Sequence, residues 1–149
     1  RSKQPPRDEF NAMLGLGYSM LFNEILAGLI NAGLHPFVGV MHSLGKGHPA
    51  LASDLIEEWR APIIDSLVLS MVSRNMVDLS DFDNSDKGCY MTPEGRKGLL
   101  TAYNKKIRSE NQYIEDRKSY RESIYKQCKQ FASAIMHEDV DLYTPLEIH

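Results

Sequence analysis

The chain has 149 residues, of which 42% are hydrophobic and 25% charged. That suits one soluble domain of ordinary size with a real core. A formal net charge of −3 argues against a global electrostatic footprint for nucleic acid, and two cysteines without a CxxC pair exclude a zinc ribbon or a disulfide framework. They suit a reducing, cytoplasmic setting. Charge is uneven, however: Arg96 to Lys129 holds ten Lys/Arg against four acids, a local +6 that leaves −9 for the rest. Such a segment can bind phosphates, or it can be a solvated helix face laced with opposite charges.

In chain order, Pro5 and Pro6 block helix and Asp8 can cap the next one. Phe10, Met13, Leu14, Gly17, Leu21, Ile25, Gly28 and Leu29 have helical spacing, which predicts a helix from Phe10 to about Ala32. Gly15, Gly17, Ala27 and Gly28 would admit close neighbours, and Gly33 suits the left-handed position after the helix. Leu14 to Ile30 is apolar but carries Ser19, Asn23 and Glu24, so a buried helix is expected rather than a membrane span. "HPFVGVMHSLGKGHP" reads as a glycine-rich loop with a short extended piece at 37–41. Helix resumes near Ala50 and runs to about Arg60, after which Pro62 opens or kinks a further helix.

"SDKG" is a turn signal before a short strand "CYM". Thr92 caps a helix with Pro93 at its first position. A last helix is expected over 113–136, with Tyr120, Ile124, Cys128, Phe131 and Ile135 facing inward. The fold class is therefore mainly α: one helical domain, 1–149, of about five helices with at most one small β-hairpin.

The stretch "VMHSLGKGHPALASDLIEEWR" carries the candidate chemistry. Asp54 and Glu57 are three apart and Arg60 continues their helix face, while Leu51, Leu55, Ile56 and Trp59 can cover the opposite side. His42 in the preceding loop can fold back over that face. One imidazole with one or two carboxylates suits Mn²⁺ or Mg²⁺, and such an ion can polarise a phosphodiester. Lys46 can touch a phosphate. Acids three apart are also common on ordinary solvated helices, and spacing alone leaves both readings open.

The motifs have a resemblance. "RSKQPPRDEFNAMLGLGYSMLFNEILAGLINAGLHPFVGVMH", "HPALASDLIEEWRAPIIDSLVLSMVSR", "MTPEGRKGLLTAYNKKI" and "YRESIYKQCKQFASAIM" with "LYTPLEI" resemble, in order, the C-terminal helical domain of the CRISPR-associated integrase family, the first-numbered Cas protein. The resemblance implies a metal-dependent DNA endonuclease and integrase. Its members insert prespacer DNA into CRISPR arrays by attack of 3′-hydroxyls on phosphodiesters of the first repeat. It implies His42 and Glu57 as ligands of Mn²⁺ or Mg²⁺, Asp54 as a neighbouring catalytic acid, and Arg60 as a DNA contact or a brace of the site; Lys46, read from the loop alone, is the second candidate DNA contact. It implies double-stranded DNA and the second-numbered Cas protein as partners, a homodimer in the full-length protein, and no membrane.

One departure is concrete. The family's first metal-binding glutamate lies in a "GxEGxxAxxYF"-like motif that is not in these residues, and Glu24 aligns with a different helix. The expectation is a fragment without the family's N-terminal β-sandwich, holding two of three ligands and little activity alone. A rival reading takes "DNSDKGCYMTPEGRKGLL" as the wing and helix of a non-enzymatic winged-helix DNA-binding module. The apolar "PIIDSLVLSMVSRNM" before it, with one arginine, argues against a recognition helix.

Overall fold

Asp8 starts the first helix, and in the computed structural model, which describes residues 5–37, 49–112 and 117–146, its carboxylate accepts from the Asn11 backbone N–H (2.8 Å) and side-chain amide (2.7 Å). Helix α1 (Glu9–Asn31) follows. Its end is a Schellman motif: Gly33 N–H donates to Ile30 O and Leu34 N–H to Leu29 O, both at 3.0 Å. Gly33 lies at φ +78°, which a residue with a Cβ adopts only at a cost. By length and composition α1 could cross a membrane. Its apolar residues are used otherwise, since Met13, Leu21, Ile25 and Leu29 are at most 1% exposed inside the core. Phe10, expected on that stripe, is 37% exposed because it sits in the first turn, at the rim of the fold.

The chain re-enters as α2 (Ala50–Trp59), passes through a π-turn (Arg60–Asp65), and continues as α3 (Ser66–Ser73). Pro62 explains the π-turn. It has no N–H to donate to the carbonyl four residues back, so the helix widens by one residue instead of stopping. The kink expected at Pro62 is this widening. Ile63, Ile64 and Trp59 are fully buried around it, and α1 packs against α2 and the π-turn on one side and against helix α5 (Tyr120–His137) on another.

A hairpin, β1 (Phe82–Ser85) and β2 (Gly88–Met91), pairs antiparallel from Phe82↔Met91 to Ser85↔Gly88. Its turn is where "SDKG" put it. The hairpin rests on the lead-in: Cys89 N–H donates to Pro6 O (2.8 Å) and Asn84 Nδ2 to Glu9 Oε1 (2.8 Å). Thr92 Oγ1 accepts from Gly95 N–H (3.2 Å), opening α4 (Pro93–Ile107) as expected.

A two-residue ladder, β3 (Glu110–Asn111) with β4 (Lys118–Ser119), then precedes α5. Here the expected helix over 113–136 starts later. Ser119 forms a capping box with Glu122, so the helix begins at Tyr120; residues 113–116 lie outside the described ones. Tyr120, Ile124 and Cys128 face the core, whereas Ile135 is 54% exposed. The last turn of α5 runs past the helices that cover its earlier turns, so the stripe there meets solvent.

Candidate metal-binding face

Helix α2 divides by phase. Leu51, Leu55, Ile56 and Trp59 are buried, as the sequence predicts, and face the core. Glu57 projects from the other side with its side chain 51% exposed. Asp54, one turn earlier, is only 8% exposed. It therefore lies deeper than the accessible acid expected from spacing, at the start of a helix whose Leu51 N–H donates to Pro36 O (3.0 Å). His42 and Lys46 lie outside the described residues. So does most of the extended piece at 37–41.

Arg60 closes the face. Its Nη1 donates to both Glu57 oxygens, at 2.5 and 2.6 Å. The side chain is 20% exposed, and its guanidinium carbon sits 4.7 Å from the centre of the Tyr18 ring, within cation–π range. Tyr18 Oη donates to Asp65 Oδ1 (2.5 Å). Burial of the guanidinium works against its charge, but Glu57 and Tyr18 outweigh this and hold the Arg60 pKa above its ordinary value. Burial, and then the neighbouring Asp65, push the Tyr18 phenol up. The result is a continuous run, Glu57–Arg60–Tyr18–Asp65, across α2, the π-turn and α1.

As donors, the Glu57 and Asp54 carboxylates are hard oxygens, the type that Mg²⁺ and Mn²⁺ accept. They fit such an ion in kind. In number they do not complete a site: among the described residues no group of three or more His, Cys, Asp or Glu comes together as a metal cluster.

Glu58 was not singled out by sequence reasoning. It accepts from Gln127 Nε2 (2.7 Å), Tyr143 Oη (2.5 Å) and Leu146 N–H (2.7 Å). Gln127 in turn accepts from Trp59 Nε1 (2.7 Å). One carboxylate thus ties α2 to α5 and to the tail. The sequence signal is phase: Glu58 lies three residues after Leu55 and seven after Leu51, both buried, which turns it toward the core side of α2. Glu24, set aside as a ligand substitute, pairs with Arg121 through two bonds of 2.7 and 2.8 Å and links α1 to α5.

The basic segment is partly structural too. Arg121 is spent on Glu24, Arg117 pairs with Glu110 at 2.7 Å, and Lys106 lies 4.7 Å over the Tyr120 ring with burial lowering its pKa. Lys97, Lys105, Arg108 and Lys129 are exposed. α3 answers the rival reading. It buries Leu67, Val68 and Met71 and exposes the apolar Leu69 and Val72, a surface unlike a basic recognition helix.

The family model and the curated relatives point to one family, and solved structures share its fold. Residues 1–105 match the family model "CRISPR associated protein Cas1". The chain is 36% identical over 146 residues to "CRISPR-associated endonuclease Cas1 1" of Thermus thermophilus, covering 97% of this chain and 46% of that protein. Among solved structures, "Casposase bound to integration product" aligns with a TM-score of 0.87 at 24% identity, over 99% of this chain and 44% of the other. "Partial Cas6-RT-Cas1--Cas2 complex" aligns with a TM-score of 0.85 at 24% identity, over 100% and 45%. The chain spans under half the length of these relatives, and the sequence match falls in their C-terminal part.

Proposed function

Since the chain belongs to the Cas1 family, we propose that it is the helical, catalytic part of a metal-dependent DNA endonuclease and integrase that inserts prespacers into CRISPR arrays. The observation that carries this reading is the family match over residues 1–105, a span that includes both His42 and the exposed Glu57 carboxylate. Glu57 and His42 are the proposed ligands, for Mn²⁺ or Mg²⁺, with Asp54 as the deeper acid of the same face. A divalent ion bound there supplies Lewis-acid polarisation of the scissile phosphate and favours the deprotonated hydroxyl. Glu57 contributes a carboxylate already oriented by Arg60. Asp54 adds negative charge one turn away. Arg60 braces the face, and Lys46 in the glycine-rich loop meets a backbone phosphate.

In this reading the centre is completed by a further glutamate outside residues 1–149, in a longer protein that also carries the family's β-sandwich and dimerises through it. Double-stranded DNA (prespacer and repeat) and Cas2 are its proposed partners; the solved relatives named for an integration product and for a Cas1–Cas2 complex support that choice.

The test is prespacer integration by the full-length protein with Mn²⁺. Glu57→Ala and His42→Ala should each lower the rate at least a hundredfold, in line with the loss of metal affinity or activity when a metal's immediate surroundings are disturbed. Integration at the parental rate by both variants would refute the ligand assignment. The isolated 149-residue chain should show little or no joining, because two ligands bind metal weakly; robust joining would refute the need for an outside glutamate.

A further inference from the structure

We propose that Tyr18 and Asp65 are positioning residues for the Glu57 carboxylate, acting through Arg60 across the π-turn. The inference rests on the reading of Glu57 as a metal ligand and adds two residues which that reading does not contain.

The physical need is plain. A half-exposed glutamate samples several rotamers, and fixing it costs entropy. A ligand carboxylate must nevertheless sit within about 0.5 Å of its working position. Arg60 Nη1 spans both Glu57 oxygens, so the carboxylate is as well placed as the arginine is. An arginine is itself a long, entropic side chain. Here its guanidinium lies on the Tyr18 ring, and its Nε is buried with no acceptor among the described residues. The contacts that orient the guanidinium are Glu57 at one end and Tyr18 at the other, through its ring and its hydroxyl.

Tyr18 is in turn fixed by its hydroxyl, which donates to Asp65 Oδ1. Arg60 and Asp65 are the first and last residues of the π-turn. On a regular helix of 3.6 residues per turn, positions five apart point about 140° away from each other. The wider π-turn reduces that angle and lets both side chains meet one tyrosine. α1 must also lie close. A Cβ on Gly17 would stand 2.7 Å from Ile64 Cγ2, so glycine at 17 lets α1 press onto the turn and bring Tyr18 within reach.

The experiment measures Mn²⁺ affinity of the full-length protein without DNA, alongside thermal unfolding and integration rate. Tyr18→Leu removes the ring and the hydroxyl, Tyr18→Phe removes the hydroxyl's bonds to Asp65 and Arg60, and Asp65→Leu removes the acceptor with little change of shape. Tyr18→Leu should weaken Mn²⁺ binding roughly tenfold, the other two severalfold, and excess Mn²⁺ should restore the rate. In an Arg60→Ala background, Tyr18→Phe should have no further effect on affinity, since the coupling runs through Arg60.

Parental Mn²⁺ affinity in Tyr18→Phe and Asp65→Leu, with Glu57→Ala defective, would overturn the positioning role and leave the ligand reading intact. Parental affinity in Glu57→Ala would overturn both. A Tyr18→Phe effect of the same size without Arg60 would also overturn the proposed route. If Tyr18→Leu fails to fold, the two near-isosteric variants decide.

Discussion

Glu57 and Glu58 are neighbours in sequence and belong to opposite regions of the molecule. Glu57 faces solvent, is half exposed, and touches one arginine on its own helix. Glu58 turns toward α5 and the tail and receives three donors from residues 69 to 88 positions away. Helical phase alone separates them, by about 100°. The same side chain is thus a surface carboxylate open to a cation on one side and a structural clamp on the other. Two adjacent acids in a sequence therefore carry no common role: the inward one ties α2 to α5 and the tail, and the outward one is left to solvent and Arg60.

Breaking the inward region should cost most. Trp59→Ala empties a fully buried site and leaves Gln127 Oε1 without its donor, so unfolding free energy should fall by about 3–5 kcal/mol, measured by denaturant titration. Glu58→Ala leaves three donors without their acceptor and should cost roughly 2–3 kcal/mol. Glu57→Ala removes only an exposed ion pair, and its stability should stay within about 1 kcal/mol of the parent even though integration is lost. Equal stability losses at 57 and 58 would erase the contrast.

The outward region can be probed through α1. Gly17→Ala pushes a Cβ into Ile64 and should destabilise by about 1–2 kcal/mol. Gly15→Ala meets nothing within 4 Å and should stabilise by about 0.5–1 kcal/mol, as glycine-to-alanine changes in helices do.

A further effect appears only at alkaline pH. Burial pushes the Cys128 thiol up to about 12 from 9.0. A raised folded-state pKa means the native state keeps its proton longer than the unfolded one. Its stabilising contribution is fully present below pH 9 and is lost as pH rises toward 12. Cys128→Ala should flatten the decline in stability between those values, and the native thiol should resist alkylation until the chain unfolds.

The π-turn shows where sequence reading stops. Pro62 announces a disturbance in the helix, but not whether the chain breaks, kinks or widens. In the fold the turn widens, and Ile64 packs under α1 against Gly17. Asp54 shows the same limit. Its spacing from Glu57 is legible, yet its depth, 8% exposed, is set by the tertiary packing around α2. The late beginning of α5 was missed because a capping box at Ser119 and Glu122 outweighed the helical pattern before it.

What the sequence determined by itself were the locally encoded features: the caps at Asp8 and Thr92, the Schellman end at Gly33, the "SDKG" turn, the buried stripe of α1, and the ordered motifs that mark the family. Each rests on bonds or torsions within a few residues, so neighbours in sequence suffice to specify it. Tertiary structure alone decided the long-range pairs: Glu58 with Gln127 and Tyr143, Glu24 with Arg121, and Tyr18 with Arg60 and Asp65. Those partners are 42 to 97 residues apart in sequence. Only the packing of α1 and α5 around α2 brings them within hydrogen-bonding or stacking distance.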